Sequence, residues 1–322
     1  MGKKVAVIIP AYKSRFLQQT LDSMVVQTNQ DFTVYIGDDA SPQDLKNIVS
    51  LYQGKLDIVY HRFETNLGKK DLPGHWERCI EMSKEPVIWF FSDDDLMPCD
   101  GIERVLKALQ ECGEKNIMFR FPLVVVDGEN NEMYANPSFT DEKISGYNFL
   151  LDKLEGRIRS AACEYVFSRD VYQEGAGFVK FPLAWCSDDA TWTKFADCAK
   201  GIIALPGKPV CWRNVEGENI SNSDCYDSRK IEAINLFLKW IINYYPAKLN
   251  EKELHHALKT YVYRILHYSV NNNFGLCELW KICRILWTIH SSVALSVALR
   301  LCKVKLLSLI HISEPTRLGM IS

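Results

Sequence analysis

Three consecutive carboxylates, Asp93-Asp94-Asp95, follow directly on the apolar run Val87-Ile88-Trp89-Phe90-Phe91. A run of that kind, rich in β-branched and aromatic residues, predicts a buried strand. Like charges at the end of a buried strand repel one another and lose hydration, so they call for a counter-charge. A divalent cation supplies one: hard carboxylate oxygens suit Mg²⁺ or Mn²⁺, and Mg²⁺ is usually shared with substrate phosphates. The competing reading is a solvated acidic loop that caps a helix. Two further acid pairs stand in comparable places. Asp38-Asp39 follows Phe32-Thr33-Val34-Tyr35-Ile36-Gly37, and Asp188-Asp189 precedes Ala190-Thr191-Trp192.

The elements that must position these acids alternate. Val5–Pro10 reads as a strand, Arg15–Gln27 as a helix with apolar residues at helical spacing, and Phe32–Ile36 as a second strand. Ser41-Pro42 has the pattern of an N-cap and first helical residue. Leu56–Tyr60, Gly74–Met82 and Val87–Phe91 continue as strand, helix and strand, followed by a helix over Asp100–Cys112 and strands over Ile117–Phe121 and Leu123–Val126. Gly128–Thr140 is polar and turn-rich, which predicts a surface excursion. This order argues for a Rossmann-like α/β fold: a mainly parallel central sheet with helices on both faces. Ligands of such sheets bind at the carboxyl ends of the strands, where Asp38-Asp39 and Asp93-Asp94-Asp95 both fall.

The 322 residues, 47% hydrophobic and 24% charged, are those of a globular chain with a full core. A net charge of -2 gives no reason to expect nucleic acid as a partner. The 11 cysteines show no C-x-x-C pair, and the start Met1-Gly2-Lys3-Lys4 leads straight into a short strand without a signal-peptide core. Reduced thiols and a cytoplasmic location are therefore expected.

Taken in order, Ile8-Ile9-Pro10-Ala11-Tyr12, Gly37-Asp38-Asp39-Ala40-Ser41, Asn66-Leu67-Gly68, Ser92-Asp93-Asp94-Asp95 and Asp188-Asp189 resemble the motifs of the family 2 glycosyltransferases over about residues 4–222. The resemblance implies a GT-A fold and an inverting, nucleotide-sugar-dependent transferase. It implies that Pro10, Ala11, Tyr12, Asp39, Asn66, Gly68, Asp93 and Asp94 line the nucleotide site, with Asp39 accepting from the base. It places the metal motif, usually D-x-D, at Asp93–Asp95. Here Ser92 takes the place of the first acid, which leaves two registers open. Either Asp93 and Asp95 form the pair, or Asp94 takes the metal with Asp95 supporting it; Asp95 as Mn²⁺ or Mg²⁺ ligand with Asp93 near the ribose is the reading adopted. Asp188-Asp189 aligns with the pair that carries the family's catalytic base, with Asp189 as the base. Arg213 is a candidate for the diphosphate. Glu164 is a candidate for an acceptor hydroxyl or a partner of Arg159 or Arg169, and Trp185 could stack on a sugar.

The domain plan that follows is a glycosyltransferase domain over 1–225, its nucleotide half about 1–100 and its acceptor half about 101–225. A helical extension over 226–311 comes next. Its run Ile285–Leu299 carries no formal charge and has Lys281, Arg284, Arg300, Lys303 and Lys305 at its flanks. That is too short for a membrane span and fits a helix lying in the interface or packed on the protein itself. Residues 312–322 include Ser313-Glu314-Pro315-Thr316-Arg317, which resembles translated read-through of a sequencing adapter, so this end is expected to be non-native. The expected partners are a nucleotide-sugar donor, more readily UDP-linked than otherwise, and a glycan or lipid-linked acceptor in bacterial surface polysaccharide assembly. The alternatives are a sugar nucleotidyltransferase and a non-catalytic binding protein of the same fold. The first normally carries a Gly-rich phosphate loop, which Pro10-Ala11-Tyr12-Lys13 is not; the second has no need of Asp189.

Overall fold

In the computed structural model the described residues are 2–136, 141–215, 228–269 and 276–300. The chain divides into two compact units, Met1–Ser223 and Asp224–Ser322. The tail 312–322, Lys303 and Lys305 lie outside the described residues.

In the first unit β1 (Val5–Ala11), β2 (Phe32–Asp38), β3 (Ile58–Arg62) and β4 (Val87–Phe90) are parallel and joined by α1 (Leu17–Val25), α2 (Leu45–Ser50) and α3 (Leu72–Ile80). Then come α4 (Gly101–Cys112), β5 (Met118–Arg120), β6 (Leu123–Val126), β7 (Glu132–Ala135), β8 (Lys143–Ile144) and α5 (Gly146–Glu155). The unit continues through β9 (Tyr165–Ser168), α6 (Arg169–Glu174), α7 (Ser187–Cys198), β10 (Ile202–Ala204) and β11 (Val210–Arg213). The eight-stranded sheet has the order β3-β2-β1-β4-β9-β5-β10-β8, and β11-β6-β7 form a second, small sheet. β9 inserts antiparallel between β4 and β5, and β8 pairs antiparallel with β10. The rest of the large sheet is parallel, giving a mainly parallel α/β fold.

β1 shows why its sequence is apolar throughout. Val5, Val7, Ile9 and Ala11 enter one core with α1, α2 and α4, while Ala6 and Ile8 enter the other with α3, α5, α6 and α7. A central parallel strand is covered on both faces and has no polar side to offer. Burial of each such side chain contributes roughly 1.5–3 kcal/mol. Trp192 belongs to the second core, fully buried and stacked on Tyr165 with ring centroids 4.8 Å apart.

One local expectation is corrected: Ser41-Pro42 does not open α2. The cap is Asp44, whose carboxylate accepts from Asn47 N at 3.1 Å. The excursion over Gly128–Thr140 contains β7, paired antiparallel with β6, while residues 137–140 lie outside the described residues. Cys163-Glu164 close a 3-10 turn, Ala162–Glu164, ahead of β9.

The second unit holds α8 (Ser228–Tyr244), α9 (Lys252–Ser269) and α10 (Leu276–Ile289). The run Ile285–Leu299 is not one helix: α10 ends at Ile289, and helical turns resume over residues 291–300. Ile282, Ile285, Leu286, Ile289, Val293 and Val297 face inward, whereas Trp280 and Trp287 stay 61% and 57% exposed.

Candidate active site

The carboxyl ends of β1, β2 and β4 lie side by side, because Ala11 is in register with Asp38 and Ile8 with Phe90. The first acid pair is fully saturated with donors. Asp38 Oδ1 accepts from Ser41 N at 2.8 Å; its Oδ2 accepts from the Tyr60 hydroxyl at 2.6 Å and pairs with Arg62 at 2.7 Å. Ser41 itself donates its hydroxyl to Tyr12 O at 2.6 Å, tying β2 to the end of β1.

Asp39 organises the loop that carries Asn66-Leu67-Gly68. Its two carboxylate oxygens accept from Leu67 N and Gly68 N, each at 2.8 Å. Asn66 Oδ1 closes the turn by accepting from Lys69 N at 2.8 Å. A Cβ on Gly68 would sit 2.7 Å from Asp39 Oδ2, so only glycine lets the backbone approach this closely. Arg78, from the last turn of α3, adds an ion pair to Asp39 and lies over the Phe63 ring, 3.7 Å from its centroid. The Arg78 Nε–H also donates to His75 Nδ1 at 3.0 Å. Burial pushes the His75 imidazole down to about 4, and Arg78 adds to this, so the ring is neutral and able to accept. Sequence reasoning missed His75 and Arg78; both read as ordinary residues of an amphipathic helix.

Asp93 turns back onto β1, its Oδ2 accepting from Tyr12 N and Lys13 N at 2.8 Å each. Tyr12 is 42% exposed beside it, Pro10 is half-buried and Ala11 is buried. Asp95 points the other way. It is fully buried, with Oδ1 accepting from Arg213 N at 2.9 Å. Its Oδ2 is buried without a hydrogen-bond partner among the described residues. Asp94, between them, is half-buried and its carboxylate makes no hydrogen bond among the described residues. Burial raises all three carboxyls, with Asp95 pushed up to about 6 and Asp94 well above the ordinary range by burial and its two neighbours.

Asp93 thus holds the β1 backbone and Asp95 the β11 backbone, while the Asp94 carboxylate makes no hydrogen bond among the described residues. Asp94 and the buried Asp95 Oδ2, near the Cys163 thiol and Ser92 that favour the charged form of Asp95, present hard oxygens of the kind that suits Mn²⁺ or Mg²⁺, and no cluster of three or more metal-ligating side chains stands among the described residues.

Two candidates are placed in the scaffold instead. Arg213 is 1% exposed, and its guanidinium donates to Asp94 O, Asp127 O and Gln19 Oε1 while covering the Phe16 ring. Such a side chain braces the acid loop. Glu164 is fully buried and pairs at 2.8 Å with Arg120, rather than with Arg159 or Arg169. Its remaining oxygen accepts from Ala161 N at 2.9 Å.

Asp188 and Asp189 occupy the first turn of α7, where acidic charge complements the helix dipole. Asp189 Oδ1 meets Lys153 Nζ at 2.8 Å, a partner the sequence did not disclose. Burial and the neighbouring Asp189 push Asp188 up to about 7, while Lys153 acts against them. The approach to the pair is strained: Leu183, Ala184 and Cys186 all have left-handed φ values of 59°, 54° and 62°. Trp185, half-buried, sits within that run. Cys163 is close enough to Asp95 to feel its charge, and Glu164 is close enough to Lys153 to raise it.

Comparison with known proteins bears on the family and the fold. The sequence profile of Glycosyl transferase family 2 matches residues 6–173. An uncharacterized glycosyltransferase of Nostoc sp. is 22% identical over 307 residues, covering 89% of this chain and 90% of that protein. A GalNAc(5)-diNAcBac-PP-undecaprenol beta-1,3-glucosyltransferase of Campylobacter jejuni is 23% identical over 159 residues, covering 49% of this chain and 50% of that protein. Among solved structures, S. aureus TarS 1-349 in complex with UDP-GlcNAc superposes with a TM-score of 0.67 at 19% identity, covering 91% of this chain and 82% of TarS 1-349.

Proposed function

The chain belongs to glycosyl transferase family 2, and from that premise we propose an inverting, metal-dependent transfer of one sugar from a UDP-sugar to a hydroxyl of a glycan or lipid-linked acceptor. The observation that carries this reading is the contrast among the acids: burial raises Asp94 and Asp188, and the Asp94 carboxylate has no hydrogen-bond donor among the described residues, whereas Asp38 and Asp39 are saturated with donors. Asp39, with the Asn66–Gly68 loop behind it, borders the nucleobase. Pro10, Ala11 and Tyr12 frame the nucleoside, and Asp93 holds the end of β1 against it.

Asp94, backed by Asp95, would hold Mn²⁺ or Mg²⁺. When bound there, the cation neutralises charge on the departing diphosphate. One carboxylate of the Asp188-Asp189 pair, Asp189 by the family resemblance, takes the proton of the acceptor hydroxyl. The acceptor oxygen forms its bond to the anomeric carbon as the bond to the diphosphate oxygen breaks. The bonding electrons leave with the nucleoside diphosphate, and the configuration inverts in a single displacement. Trp185, beside the pair, would offer its indole face to the acceptor sugar.

The UDP-GlcNAc complex of TarS supports UDP as the donor nucleotide. The undecaprenol-linked substrate in the name of the Campylobacter relative supports a lipid-linked acceptor and bacterial surface polysaccharide assembly. No described helix is long and apolar enough to cross a membrane. Peripheral contact with the inner face of the cell membrane instead rests on the exposed Trp280 and Trp287, with Lys281, Arg284 and Arg300 exposed nearby. Co-sedimentation with anionic vesicles, weakened in a Trp280→Ser/Trp287→Ser double variant, tests that part; equal pelleting of both proteins rejects it.

Calorimetric titration of UDP with and without Mn²⁺ tests the donor site. Binding that requires Mn²⁺ and falls by about tenfold or more in Asp94→Asn is the expected result. Wild-type protein that ignores UDP but binds dTDP or GDP changes the donor, and silence towards all three overturns the reading.

A further inference from the structure

Lys153 is a buried cation on a helix outside the recognised motifs. Its side chain is 13% exposed and meets Asp189, 19% exposed, at 2.8 Å. A lysine held this far from water costs several kcal/mol unless it is paired, so its persistence here points to the carboxylate it faces.

The backbone explains why it faces that carboxylate. At the start of α5, a Cβ on Gly146 would lie 2.5 Å from Thr193 O and 2.4 Å from Asp197 Oδ1 of α7. The missing side chain lets the two helices touch at this point. Lys153 is seven residues further along α5, on the same face after two turns. Asp189 is four residues before Thr193 and eight before Asp197. The helices therefore run antiparallel, and the contact at Gly146 fixes which residue of α5 stands opposite Asp189. Ser145 caps α5 by accepting from Asn148 N at 3.1 Å, and Gly156 ends it at φ 73°, so α5 extends just far enough to present Lys153.

We propose that Lys153 is the positioning residue of the acid pair: anchored by the Gly146 contact, its ammonium pins Asp189 and orients the head of α7 towards the acceptor hydroxyl. This rests on the reading that Asp188-Asp189 supplies the base. Among the described residues, the charged and titratable groups around the pair are Lys153 from α5, Glu164 from the 3-10 turn, Arg120 from β5 and Tyr165 from β9. Arg120 is already matched to Glu164 at 2.8 Å, which leaves Lys153 as the cation that answers the acid pair. Lys153 draws down the Asp188 carboxyl, which burial and Asp189 push up.

The test needs no known acceptor. Aspartate carboxyl carbons are followed by ¹³C NMR through a pH titration of the full chain, with Asp188→Asn and Asp189→Asn used for assignment. Lys153→Met removes the cation, so the titration of the pair is expected to move up by about one pH unit or more. Lys153→Arg keeps the charge and is expected to return it towards the wild-type curve. A titration unmoved in Lys153→Met, in protein whose melting temperature shows it folded, overturns the proposal. If Lys153→Met fails to fold, Lys153→Gln takes its place with the same expectation and the same overturning result. The acid limb of UDP release from a UDP-sugar is then measured on the same variants. An NMR shift without a matching kinetic shift separates a correct role for Lys153 from a wrong assignment of the base. Activity lost evenly across pH, with no NMR shift, makes Lys153 merely structural and rejects the inference.

Discussion

Asp38-Asp39 and Asp93-Asp94-Asp95 end two strands that flank β1, the first pair buried and the second group buried at Asp95 and half-buried at Asp93 and Asp94, and they are furnished differently. Around Asp38 and Asp39 the chain supplies backbone amides, a phenol and two guanidinium groups, so every carboxylate oxygen has a donor. Around Asp94 it supplies the charges of Lys13 and Arg213 but no hydrogen bond to the carboxylate among the described residues, and Asp95 Oδ2 is buried without a hydrogen-bond partner among them. A saturated acid is a structural bolt. An unsaturated one is an electrostatic debt that a ligand or a proton must settle. The acid pair on α7 is divided in the same way, Asp189 being matched to Lys153 and Asp188 raised to about 7.

The comparison breaks most plainly at Asp94. Asp94→Asn is expected to lower transfer by about 10²–10³-fold while leaving the melting temperature unchanged or higher, because it removes an under-neutralised charge. Steady-state rates and a thermal melt on the same preparation check both halves; a large loss of stability would place Asp94 among the bolts. Asp38→Asn should behave in the opposite sense. It leaves Arg62 and Tyr60 without their anion and is expected to cost about 2–4 kcal/mol in urea unfolding, with a smaller effect on UDP affinity than on stability.

The smallest effect is on pH. Asp95 at about 6 and Asp188 at about 7 lie above the ordinary carboxyl value of about 4. Between those values the folded protein binds more protons than the unfolded chain. The contribution of these two groups to stability is therefore full below about pH 4 and is lost as pH rises through 6 to 7. Melting temperatures without metal should fall by a few degrees from pH 5 to pH 8, with Mn²⁺ restoring the difference at pH 8 by mass action. A melt that rises over this interval contradicts the charge pattern.

Much of this arrangement was legible from residue order. β1, β2 and β4 are apolar on both faces, and their ends are marked by acids, so the edge that carries the site could be read directly. What was not legible comes from contacts distant in sequence. Lys153 reads as a solvated lysine until α7 is laid against α5. Arg78 reads as a helix-end cation until Asp39 arrives from 39 positions away. Glu164 pairs with Arg120, 44 residues back, where sequence proximity suggested Arg159 or Arg169. Ser41-Pro42 has the local chemistry of a helix start, but Ser41 gives its hydroxyl to Tyr12 O and the helix waits for Asp44.

The left-handed run at Leu183, Ala184 and Cys186 has a meaning for anyone who would engineer this chain. Each such residue gives up roughly 1–2 kcal/mol relative to glycine in the same conformation. A screen for heat resistance would therefore be drawn to these positions and would reward glycine or asparagine there. The hardened variant would gain its degrees by loosening the short stretch that aims Trp185 and the acid pair, so thermal hardiness and turnover would be selected against each other within four residues.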